Sequence, residues 1–215
     1  MNILALLISV VCRLLAITGH EFAHGYVSYK LGDPTPKNGG RLTLNPLAHL
    51  DPVGTLLMLL TGFGWAKPVM IDPRYYRDYK KGTALVSVAG PLSNLIMAFV
   101  GLLLYTIAFI IHAKTGAFSM LTDFLRTFSV MFAQTNLCFM VFNLIPIPPL
   151  DGSRILGMFI PDRTYYKLLS FERYSMLIIM ALSLTGAFST IIGTGVNFVF
   201  DAIIRFMNML VNWVL

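Results

Sequence analysis

Residues 3–31 read ILALLISVVCRLLAITGHEFAHGYVSYKL, an apolar run long enough to cross a bilayer with His20, Glu21 and His24 set inside it. Hydrocarbon penalises a glutamate and a histidine pair, so their presence there points to chemistry rather than solvation. On a helix, residues four apart share a face and lie about 6 Å apart along the axis. Both imidazoles can then reach one zinc ion while Glu21 borders the same site, the arrangement that activates water on a metal.

The rest of the chain repeats the apolar theme. Its 215 residues are 56% hydrophobic and only 12% charged, against about a quarter charged in soluble domains. Further apolar runs cover Thr83 to His112, Phe124 to Ile147 and Met176 to Leu215, the last long enough for two spans. Pro52 to Phe63 is too short to cross. The expected fold is an all-α polytopic membrane protein. It is a helical bundle of 4 to 6 transmembrane segments, at roughly 20 residues per span, with a short re-entrant or β-hairpin region between the first two.

The first run carries no Lys or Arg at its start, and cleavage near its end would remove or expose the His-Glu pair. It therefore reads as an uncleaved span rather than a secretion signal. Cys12 and Cys138 both fall in apolar runs away from the candidate ligands, which predicts buried packing for each. The net charge of +6 comes from residues that lie almost all in loops. Basic loops on one side of a membrane protein follow the positive-inside rule, so the charge gives no reason to expect nucleic acid.

Two histidines leave a catalytic zinc one protein ligand short, since such sites use three plus water. His49, Asp51, His112 and Asp151 are the candidates. His112 closes the second long run beside Lys114 and reads as interfacial. Asp151 follows Pro146, Pro148 and Pro149, which end regular helix and remove backbone donors while the chain is still at membrane depth. Such a segment is tolerated where it lines a protein-enclosed cavity.

Depth gives a separate argument. His20 and Asp151 each lie near the trailing end of an apolar run, so they meet only if an odd number of crossings separates those runs. Thr83 to His112 is that crossing, and Pro52 to Phe63 must dip in and return on one side. This topology places Lys30, Lys37, Arg41, Lys67, Arg154 and Arg173 on one face with most other basic residues, leaving chiefly Lys114 and Arg126 opposite. That face should be cytoplasmic.

Three stretches, His20 to His24, Gly90-Pro91-Leu92-Ser93-Asn94 and Asn143 through Gly152, together resemble the site-2 proteases, intramembrane zinc metalloproteases, in their compact prokaryotic branch without PDZ or CBS domains. The resemblance implies one Zn2+ per chain held by His20, His24 and Asp151, with Glu21 as general base and then proton donor. It assigns Asn143 to the substrate carbonyl or its oxyanion, where one amide donor is worth about 3 kcal/mol. It implies a membrane-protein or signal-peptide substrate within the lipid bilayer of a prokaryotic cell. A re-entrant strand, here Gly62 to Val69, would hold that substrate extended. His49 and Asp51 read as partners that orient a ligand imidazole or gate water, or as plain turn residues, and Gly90 and Asn94 as a close helix contact with a polar tie.

Residues 1–160 are expected to form the protease core, with 161–215 adding transmembrane or interfacial helices to the same domain. Oligomeric state is not legible. A metal transporter or sensor would need polar residues continuing across the bilayer, yet the far halves of the spans are nearly all apolar. An inactive scaffold would have no need of Glu21.

Overall fold

The computed structural model describes residues 3–54, 67–117 and 119–215, and among these it is helical without strands. Four helices are long and apolar enough to cross a membrane. They are α1 (Ile3–Lys30), α2 (Tyr79–Thr115), α3 (Ser119–Leu144) and α7 (Ala187–Val214). Between the last two lie α4 (Asp151–Gly157), α5 (Asp162–Ser170) and α6 (Ser175–Leu184). The apolar tail after Met176 thus makes one span, because α6 is too short to cross and the chain restarts helix after Gly186, at φ +72°. Pro52 to Phe63 and Gly62 to Val69 fall largely outside the described residues.

Each span buries one stripe and turns the other outward. In α1, Ile8, Cys12, Ala16 and His20 recur every four residues and are buried, while Leu4, Leu7, Val11 and Leu15 are exposed. Small residues at that seam let α2 and α3 approach closely. Ala98 and Leu102 of α2, Ala133, Leu137 and Met140 of α3, and Ile203 and Met207 of α7 form the apolar core. Cys12 is buried as expected, but Cys138 is exposed. It lies off the packed stripe of α3, and a thiol is apolar enough to face hydrocarbon.

The Gly116 turn reverses the chain between α2 and α3, so α1 and α3 run the same way with α2 antiparallel. Phe188 packs on Phe142 and Phe206 on Phe99, which runs α7 parallel to α2. Asp78 caps α2 by accepting from the Lys81 amide. At 37 residues, α2 is about 56 Å long and outreaches the roughly 30 Å hydrocarbon layer.

Asp33 ties the connection after α1 back onto the bundle. Its carboxylate accepts from the Thr35 and Asp72 amides and from the Ser28 hydroxyl, which also meets Tyr76. Burial pushes this carboxyl up, but those hydrogen bonds outweigh it and hold it below the ordinary carboxylate value. The result fixes residues 67–72 beside the last turns of α1.

Candidate metal centre

His20 and His24 occupy one face of α1, and Asp151 reaches them from the first turn of α4. The Asp151 Oδ2 lies 3.2 Å from Nε2 of each histidine, and the two Nε2 atoms are 2.9 Å apart. Side-chain exposure is 8% for His20, 12% for His24 and 10% for Asp151, so water screens the cluster little.

The outer ring nitrogens decide what the inner ones present. His20 Nδ1 is 2.7 Å from the Asn94 side-chain oxygen, and His24 Nδ1 is 2.7 Å from the Val86 carbonyl. Both partners accept, so each imidazole, when neutral, donates through Nδ1 and turns an unprotonated Nε2 inward. Among the described residues, Asp151 Oδ2 is buried with no hydrogen-bond partner. Three lone-pair donors thus converge with no proton between them, an arrangement that repels itself unless a cation joins it. Ligand atoms about 2.0–2.1 Å from a tetrahedral zinc lie about 3.3 Å from one another, close to the spacings here. The residues fit that ion.

Two glycines make room for the cluster. A Cβ on Gly90 would lie 2.5 Å from His20 Cε1 and from His24 Nε2, so α2 backbone serves as the floor on which both rings rest. A Cβ on Gly152 would lie 2.2 Å from the Leu144 carbonyl oxygen, so only glycine lets α4 press Asp151 against the end of α3. Gly90→Ala is therefore expected to displace both imidazoles and weaken zinc binding by at least about tenfold. Chelator competition on the purified protein would measure this, and parental affinity would contradict it.

Glu21 accepts a hydrogen bond from the Val69 amide at 2.8 Å and lines the same cavity, of about 610 Å³, as the three ligands. Pro68 to Ile71, Phe139, Phe142, Pro149 and Arg154 also line it. Asn143 also lines it, with its amide donating to the Phe139 carbonyl at 3.0 Å. That contact engages one of the two amide hydrogens.

The remaining candidates lie elsewhere. His49 Nε2 is 2.8 Å from the Thr43 carbonyl, Asp51 accepts from the Gly54 amide, and His112 Nδ1 meets the Ala117 carbonyl at the distant end of α2. Neither His49 nor Asp51 supports a ligand imidazole among the described contacts. Asn94 and the Val86 carbonyl do so instead. In the sequence Asn94 reads as a polar tie in helix packing, and a backbone carbonyl leaves no residue signature.

The profile of peptidase family M50 matches residues 3–186. A Bacillus subtilis (strain 168) protein described as "Putative zinc metalloprotease YwhC" is 41% identical over 199 residues, covering 91% of this chain and 89% of that protein. "Putative zinc metalloprotease Rip2" of Mycolicibacterium smegmatis (strain ATCC 700084 / mc(2)155) is 30% identical over 181 residues, 81% of this chain and 65% of that protein. Rip2 of Mycobacterium tuberculosis (strain ATCC 25618 / H37Rv) is 28% identical over 177 residues, 80% of this chain and 64% of that protein. No solved structure is significantly similar to the chain.

Proposed function

The chain belongs to peptidase family M50, the site-2 proteases, and from that premise we propose that it cuts peptide bonds in or beside transmembrane segments. It is a zinc metalloprotease and an integral membrane protein. The observation that carries the finer reading is the meeting of three unprotonated donors, from His20, His24 and Asp151, with Glu21 in one cavity at the end of apolar spans.

His20, His24 and Asp151 would hold a zinc ion, which would supply Lewis acidity to the attacking water and the scissile carbonyl. Glu21 takes the proton from the attacking water and returns it to the departing amine. The Val69 amide holds one Glu21 oxygen, so the carboxylate is aimed before substrate arrives. The second amide hydrogen of Asn143 donates to the oxygen on which negative charge develops. A substrate helix hides its carbonyls in hydrogen bonds, so it must unwind to enter. The backbone at 68–71 edges the cavity and would pair with the extended chain.

The membrane is read as that of a prokaryotic cell, with the site facing the cytoplasm. Lysines and arginines of residues 30–81 and 154–173 gather at the end of the bundle that bears the site, and Lys114 and Arg126 lie toward the other. The substrate is a membrane protein or a signal-peptide remnant.

Purified protein mixed with a reporter transmembrane peptide tests the activity. Stripping the metal with a chelator should abolish cleavage and added zinc should restore it, whereas added magnesium should not, because nitrogen ligands disfavour it. Cleavage that survives chelation would overturn the proposal.

A further inference from the structure

We propose that Asn94 is a positioning residue that dictates which nitrogen of His20 faces the metal, and that Asn136 in turn fixes Asn94. The inference rests on the metal-centre reading above.

Asn94 sits on α2, fully buried, and bonds to both α1 and α3. Its side-chain oxygen lies 2.7 Å from His20 Nδ1 on α1. Its amide nitrogen donates to the Ala16 carbonyl of α1 at 3.1 Å and to the Asn136 side-chain oxygen of α3 at 2.9 Å. Asn136, also fully buried, donates its own amide to the Phe132 carbonyl at 2.8 Å.

This chain of contacts has one self-consistent polarity. The Phe132 carbonyl can only accept, so the Asn136 amide nitrogen faces it and its oxygen faces Asn94. That oxygen and the Ala16 carbonyl both demand donors, so the Asn94 NH2 points at them. Reversing Asn94 would oppose its oxygen to two acceptors at a fully buried position, where each unmet group costs heavily. The Asn94 oxygen is therefore locked toward His20, and His20 must carry its hydrogen on Nδ1. The lone pair on Nε2 then has one direction, toward His24 Nε2 and Asp151 Oδ2.

Among the described residues, His24 has no such side-chain partner. Its Nδ1 donates to a backbone carbonyl, that of Val86, which substitution cannot remove directly. The two histidines thus differ in how they are held, and only the His20 support can be deleted by mutation.

The test uses the full-length protein in detergent, with zinc affinity read by chelator competition and histidine tautomers read by nitrogen-15 spectra of metal-free, histidine-labelled protein. Asn94→Leu should lower zinc affinity about 10–100-fold, the usual loss for an outer-shell partner, and should turn the His20 signal into a mixture of tautomers. Asn136→Leu removes one of the two acceptors that orient the Asn94 amide and should lower zinc affinity by a smaller factor, under about tenfold, whereas parental affinity would remove Asn136 from the assignment. In the parent, metal-free His20 should be protonated at Nδ1 and bare at Nε2. Unchanged zinc affinity in a folded Asn94→Leu protein, or a parental His20 protonated at Nε2, would overturn the assignment. If Asn94→Leu does not fold, the parental spectrum alone decides. Tight zinc binding without peptide cleavage would remove the protease reading and leave Asn94 its role, and normal cleavage with indifferent Asn94→Leu would do the reverse.

Discussion

Glu21→Gln is expected to keep its zinc and lose peptide cleavage by about 10²–10⁴-fold, the contribution of a positioned general base. The substitution is close to isosteric. The new amide oxygen can still accept from the Val69 amide, which now bonds Glu21 at 2.8 Å, so the loop beside the site stays anchored. The three ligand atoms belong to other residues and keep their mutual spacing. What disappears is the only proton acceptor proposed for the attacking water, since a neutral amide cannot take its proton. Reporter-peptide cleavage and metal content, measured on the same preparation, give the answer. Cleavage at the parental rate would strip Glu21 of its role, and loss of zinc along with activity would make it structural.

Asp151→Ala is expected to reduce zinc affinity beyond the roughly 10–100-fold that removal of an outer-shell partner costs, because a direct ligand goes. Two imidazoles remain, 2.9 Å apart, with no anionic oxygen to balance the ion. The fold should persist, since Gly152 still seats α4 on the end of α3 and Ser153 still donates to the Leu150 carbonyl. His49→Ala is the contrast. That ring bonds the Thr43 carbonyl and takes no part in the cluster, so zinc content should match the parent. Parental zinc in Asp151→Ala, or its loss in His49→Ala, would reassign the third ligand.

Much of this was legible before any coordinates, for identifiable reasons. Helical periodicity placed His20 and His24 on one face, and hydrocarbon made polar residues conspicuous. The odd-crossing requirement paired the trailing ends of two runs, and the structure brings Asp151 to 3.2 Å from both histidines. Other features escaped. Asn94 was seen as a tie between helices, but which atom it ties depends on rotamers that spacing cannot supply. The supporting carbonyl of Val86 has no residue identity, so no motif marks it. His49 and Asp51 drew attention by nearness in sequence, yet one bonds the Thr43 carbonyl and the other a turn amide. The tail after Met176 had enough apolar length for two crossings, and only the helix break near Gly186 reduces it to one.

The ligands are divided between carriers, two on α1 and one on the segment that hangs from α3. Any sliding of α1 against α3 along the membrane normal would stretch the 3.2 Å separations directly. Hydrocarbon thickness is one influence that shifts neighbouring spans in this way. Metal loading should then vary with acyl-chain length, and zinc content measured across detergents of graded chain length would check it.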